Sequence, residues 1–215
     1  MRIAFFDTHR YERRAFDEAN AGHEHEIVYH EPRLPPDTAS LAQGCPAVCS
    51  FVNDRVTAET LEILVRGGTK LLALRSAGFN HVDLVAAGRL GIPVVRVPEY
   101  SPHAVAEHTV MLALAVIRRV HRAWARVREG NFSLEGLMGF DLFQKRVGIV
   151  GTGKIGRVTA RIFNGFGCDV VAYDIYPNEQ AAKECGFSYV ELDELYRTSD
   201  IISLHVPLTP KTHHL

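Results

Sequence analysis

Apolar positions along the chain follow two spacings that take turns. Short runs rich in β-branched and aromatic residues occur at residues 2–6, 25–29, 47–51, 70–74 and 92–96, each bounded by polar, glycine or proline positions. Runs of this length and composition predict strands buried on both faces. Between them the apolar period lengthens to that of a helix. Tyr11, Ala15, Phe16 and Ala19 form one stripe that stops at Gly22, and a short helix fits residues 38–43. Thr57 opens a helix through Leu61, Leu64 and Val65 that Gly67 and Gly68 close, and Asp83 opens another that runs to Gly88. Strand and helix in regular succession predict parallel βα units and a doubly wound sheet over residues 1–99.

The alternation breaks at Pro98 and Pro102, which are expected to fix the backbone at a hinge between two domains. A single long helix pattern follows over residues 103–129. The irregular stretch at 131–143 carries Phe132, Leu134, Leu137, Met138 and Phe140, an apolar arm expected to cover its own domain or dock on a second subunit. Strand patterns then return at residues 147–150, 169–173, 188–190 and 200–206, with helices from Lys154 to the Gly165 and Gly167 pair, over 180–185 and over 192–198. They predict a second parallel sheet in residues 100–215, with four strands of the six in the full dinucleotide-binding arrangement.

Length supports that division, since 215 residues exceed a typical single domain. With 47% hydrophobic and 23% charged residues the chain is an ordinary globular one, and a net charge of −1 argues against a nucleic-acid surface. The local basic run of Arg118, Arg119, Arg122, Arg126 and Arg128 has helical spacing and reads as a solvated face or a subunit contact. Cys45, Cys49, Cys168 and Cys185 lack C-x-x-C spacing, which suggests inert thiols in a reducing cytoplasm. Arg2, Asp7 and Arg10 interrupt any secretory apolar region, and the longest apolar run, residues 110–117, is too short to cross a bilayer, so a cytoplasmic protein without membrane contact is expected. His103, Glu107 and His108 lack the H-E-x-x-H spacing of a zinc site, and no metal is expected.

The candidate chemistry lies where the strand at 147–150 meets three glycines, Gly151, Gly153 and Gly156, at G-x-G-x-x-G spacing and at the start of a helix. Gly151 permits a tight turn, Gly153 allows a pyrophosphate to approach the first helical N–H groups, and Gly156 lets the helix lie close to the strand. About 20 residues on, at the end of the next strand, Asp174 stands where this fingerprint requires an acid for the adenosine ribose hydroxyls. The carboxylate would repel a 2′-phosphate, and Ile175 and Tyr176 supply no cation to hold one, so NAD is expected over NADP.

Several segments occur together in one order: residues 74–84 (LRSAGFNHVDL), 97–108 (VPEYSPHAVAEH), the glycine turn, and 203–209 (SLHVPLT). In this the chain resembles the D-isomer-specific 2-hydroxyacid dehydrogenases over its whole length, most of all their D-lactate branch, through residues 77–80 and 131–137. The resemblance implies a flavodoxin-like substrate domain at 1–99 and a Rossmann NAD-binding domain at 100–215, both incomplete. It implies that backbone N–H groups at Ala77 and Gly78 cradle the substrate carboxylate and that Tyr100 reaches into the substrate pocket. Lys154 and Ile155 would lie along the pyrophosphate, Val206 and Pro207 beside the nicotinamide, and Thr212 at a further cofactor contact.

The implied reaction is reversible hydride transfer between NADH and a small 2-oxo acid, with pyruvate and D-lactate the favoured pair. The family's catalytic arginine, glutamate and histidine would fall after Leu215, so no catalytic residue is assigned within the chain and little turnover is expected of it alone. His205 is not taken as their substitute. A homodimer or higher homo-oligomer is implied through the helix at 103–129 and the arm at 131–143. Two other readings stay open: a non-catalytic NAD-binding or interaction module, as in corepressor relatives, and an enzyme for glycerate, phosphoglycerate or formate.

Overall fold

A computed structural model describes residues 1–215, which divide into two compact units, Met1–Tyr100 and Ser101–Leu215. The first unit contains β1 (Arg2–Phe5), α1 (Arg10–Asn20), β2 (Glu26–Tyr29), α2 (Pro36–Ala39) running into a 3-10 turn at Ser40–Ala42, and β3 (Ala47–Ser50). It continues with α3 (Ala58–Arg66), β4 (Leu71–Leu74), α4 (Leu84–Leu90) and β5 (Val94–Arg96). All five strands are parallel in the order β2-β1-β3-β4-β5, the flavodoxin-like order. The expected caps are in place: the Thr57 hydroxyl accepts the Thr60 N–H, and Asp83 accepts the Ala86 N–H. Phe6, Leu34, Val48, Leu61, Leu64 and Leu72 are fully buried between sheet and helices, which explains why the strands are apolar on both faces.

The second unit opens with two helices, α5 (Pro102–Ile117) and α6 (Val120–Arg128). The single helix expected over residues 103–129 is therefore broken, although no glycine or proline marks the break. Arg119 adopts a left-handed φ of +52°. The cause is tertiary. The segment 131–143 folds back over the junction, where Gly139 approaches the Ile117 carbonyl so closely that a Cβ would overlap it, and Arg119 Nε donates to the Met138 carbonyl at 3.0 Å. Other members of the basic run hold the same segment: Arg126 donates to the carbonyls of Ser133 (3.1 Å) and Glu135 (2.6 Å), and Arg118 pairs with Asp141 at 3.3 Å. These arginines are thus anchors for the arm, a role that their helical spacing alone did not reveal.

The sheet of this unit comprises β6 (Arg146–Val150), β7 (Asp169–Tyr173), β8 (Ser188–Tyr189) and β9 (Ile201–Leu204), parallel in the order β8-β7-β6-β9. Helices α7 (Lys154–Gly165), α8 (Glu179–Cys185) and α9 (Leu192–Thr198) connect the strands. Val147, Ile149, Phe163 and Val170 bury one face of the sheet, and Leu195 packs on the other beside Val150 and Val171. Gly148 is what admits α9: a Cβ there would stand 2.5 Å from both Leu195 Cδ2 and Ser199 Oγ. All four cysteines are buried free thiols, and no helix is long and apolar enough to cross a membrane.

Candidate nucleotide site

The site begins where β6 runs out. Gly151 has a φ of +96°, its N–H donates to the Tyr173 carbonyl at 2.8 Å, and a Cβ on it would lie 2.7 Å from the His205 carbonyl oxygen. Only glycine fits there, because both the dihedral and the neighbouring chain after β9 exclude a side chain. Gly156 is buried in the first turn of α7, where a Cβ would overlap the Gly151 carbonyl, so its absence sets how closely helix and strand meet. Gly153 differs: nothing lies within 4 Å of a Cβ placed on it. It caps α7, whose first N–H groups have no partners within the helix, so open space adjoins the positive end of a helix dipole.

Asp174 follows β7 and faces this turn. Its Oδ2 accepts the Thr152 N–H (2.6 Å) and the Thr152 hydroxyl (2.9 Å), while Oδ1 accepts the Tyr176 N–H at 2.9 Å. Burial pushes the carboxyl pKa up, but the hydrogen bonds from Tyr176 and Thr152, with the nearby charge of Arg157, outweigh it and hold the group below the ordinary carboxylate value. The carboxylate is therefore ionised near neutral pH. Arg157 also braces the turn directly, donating from Nε to the Thr152 carbonyl at 2.7 Å.

Around these residues opens a cavity of about 880 Å³ at the carboxyl ends of the strands. Of the positions anticipated for a cofactor, Gly151, Gly153, Asp174, Val206, Pro207 and Thr212 line it. Lys154, Ile155 and Gly156 instead form the first turn of α7 and do not line the cavity. Thr212 shapes the far wall, donating its hydroxyl to the Pro207 carbonyl at 2.5 Å and accepting the Thr209 N–H at 2.8 Å. His205 also lines the cavity; its Nε2 is 2.9 Å from Ser203 Oγ, and burial lowers its pKa, favouring neutral imidazole. Lys211 is a cation on the lining that the residues next to Asp174 gave no sign of.

The anticipated substrate residues belong to the first unit. Ala77 and Gly78 form the turn after β4, where Arg96 Nη1 donates to the Ala77 carbonyl (2.9 Å) and the Ser76 hydroxyl to the Gly78 carbonyl (2.7 Å). Tyr100 ends the unit with 63% of its surface exposed.

The residues present fit a nicotinamide dinucleotide: an unobstructed glycine at a helix N-terminus for phosphate, an ionised acceptor for ribose, and a largely apolar cavity for rings. Fold and site together define an α/β protein with a Rossmann NAD-binding domain. Residues 110–215 match the model of the D-isomer specific 2-hydroxyacid dehydrogenase NAD-binding domain. The chain is 53% identical to 2-hydroxyacid dehydrogenase homolog 1 of Schizosaccharomyces pombe and 48% identical to D-lactate dehydrogenase of Escherichia coli, covering 100% of this chain and 65% of each relative. Among solved structures, apo D-lactate dehydrogenase from Escherichia coli superposes with a TM-score of 0.91 at 48% identity, over 100% of this chain and 67% of that one. The Aquifex aeolicus D-lactate dehydrogenase complexed with NAD and lactic acid gives a TM-score of 0.82 at 34% identity, over 99% of this chain and 63% of that one. The chain belongs to the D-isomer-specific 2-hydroxyacid dehydrogenase family and its cofactor is NAD. It spans about 65% of the length of the curated relatives it matches.

Proposed function

We propose that this chain is part of an NAD-dependent D-lactate dehydrogenase that interconverts pyruvate and D-lactate in the cytoplasm. The observation that carries the reading is the cavity in which the ionised Asp174 faces the glycine turn, together with likeness to relatives that bear that name. In it, α7 directs its N-terminal N–H groups at the pyrophosphate, Asp174 accepts the adenosine ribose hydroxyls, and Val206 and Pro207 lie beside the nicotinamide. Bound NADH supplies the hydride. The amides of Ala77 and Gly78 hold the substrate carboxylate, with Tyr100 against the substrate. The arm at 131–143 and the helices before it, which leave Phe132, Leu134, Met138, Trp124 and Val116 more than half exposed, support a homodimer contact.

Residues 1–215 by themselves are proposed to hold the dinucleotide with little turnover, since the resemblance assigns them none of the family's acid, glutamate or carboxylate-binding arginine. NADH oxidation followed at saturating pyruvate, glyoxylate and hydroxypyruvate in turn tests the reading on protein joined to the segment that completes the relatives' length. Preference for pyruvate supports it; preference for another acid, or none used, contradicts it.

A further inference from the structure

The Asp174 carboxylate is reached by a chain of hydrogen bonds whose direction can be derived. Asp174 Oδ2 can only accept, so the single proton of the Thr152 hydroxyl, 2.9 Å away, is committed to it. Thr152 Oγ1 also lies 2.8 Å from the Tyr189 hydroxyl, and with its own proton spent it must accept there, which makes Tyr189 the donor. The Tyr189 oxygen in turn accepts the Asn178 N–H at 3.0 Å. Protons therefore point one way, from Asn178 through Tyr189 and Thr152 to Asp174.

The chain ties together three elements of the second unit: the glycine turn, the loop after β7, and β8. Thr152 is 3% exposed, and Tyr189 does not line the cavity. With the Thr152 N–H added, Oδ2 holds two donors and is saturated, whereas Oδ1 holds only the Tyr176 N–H. A carboxylate has about four acceptor directions. The open one is thus on Oδ1.

We infer that Tyr189 and Thr152 are positioning residues for dinucleotide choice, locking one oxygen of Asp174 to the protein so that the other is presented to the adenosine ribose. The inference rests on the proposed role of Asp174 at the ribose. Without Tyr189 the Thr152 hydroxyl loses its brace, and without that hydroxyl Oδ2 keeps only the Thr152 N–H, so the carboxylate can tilt, which weakens the bond to the 2′-hydroxyl and relieves repulsion of a 2′-phosphate. Loss of Tyr189 or Thr152 should then alter the ratio of the two affinities as well as their sizes.

The test is calorimetric titration of NADH and of NADPH into the full chain and its variants, with melting temperatures recorded alongside. Tyr189→Phe and Thr152→Val, which approach the carboxylate from different elements, should each lower the preference for NADH over NADPH about three- to tenfold, the worth of roughly one hydrogen bond. Thr152→Ser, which keeps the hydroxyl, should retain the preference, and the double variant should be no worse than the poorer single one. Asp174→Asn separates the two levels of the argument. If it reduces the preference while Tyr189→Phe and Thr152→Val weaken both dinucleotides equally or neither, the positioning role is overturned and Asp174 keeps its own. If Asp174→Asn leaves the preference unchanged, the ribose reading fails and the positioning role falls with it.

Discussion

Gly156 gives the sharpest single-residue test of the turn. Its replacement by alanine forces a methyl group into the Gly151 carbonyl, so α7 must move off β6. Overpacking of this kind costs about 1–3 kcal/mol, and the melting temperature of Gly156→Ala should fall accordingly, with weaker NADH binding because the helix N-terminus shifts. Gly153→Ala is the contrast, since open space surrounds it: stability should hold while dinucleotide binding suffers. An unchanged melting temperature for Gly156→Ala would contradict the account of why the helix sits where it does. These positions were legible because they are a few residues apart in the chain and the fingerprint fixes their spacing. That Asp174 would stand beside the turn followed from the fingerprint's longer spacing, which sets an acid at the end of the next strand. Tyr189 and Arg157 were not: what links them to Asp174 and Thr152 is a hydroxyl orientation and a guanidinium reach, neither of which leaves a periodic trace.

The helices that open the second unit show where periodicity misleads. A continuous apolar pattern over residues 103–129 predicts one helix, yet the chain breaks at Arg118 and Arg119, where the arm that follows packs Gly139 against the Ile117 carbonyl and takes the Arg119 side chain as a donor. Tertiary contact overrides local preference here, and the contact comes from residues that look like loop. The strands were easier to read, because burial on both faces leaves them uniformly apolar. If Arg126 anchors the arm, Arg126→Ala should speed amide exchange across residues 131–138 while the melting temperature shifts little, since both lost bonds are at exposed carbonyls. Unaltered exchange there would assign the arm's order to other contacts.

For the molecule as a whole, three partly buried histidines contribute to its response to acid. Burial lowers the pKa of His30, His81 and His205 below the ordinary 6.5, with Arg2 adding to the effect at His30 and Asp54 opposing it at His81. The unfolded chain therefore binds protons that the folded one resists, and stability is lost as pH falls through 6.5 toward the folded values. The lowered carboxyls of Asp174 and Asp200 act in the same direction in a later window, below 3.8. Melting temperature should decline as pH drops below 6.5, and His81→Gln should flatten that decline; a flat profile in the parent protein would contradict the assignment. That the chain makes two parallel α/β units was readable from the alternation of strand and helix. The hydrogen bonds that orient the Asp174 carboxylate were not.

The cavity at the glycine turn is proposed to hold NAD, with the Asp174 carboxylate selecting it over the phosphorylated form. Fluorescence titration of the parent chain with NADH and with NADPH tests this most directly. One saturable NADH site per chain is expected, with affinity for NADPH weaker by about tenfold or more, the scale of a lost charge-assisted hydrogen bond. Absence of NADH binding by folded protein, or equal affinity for the two, would contradict it.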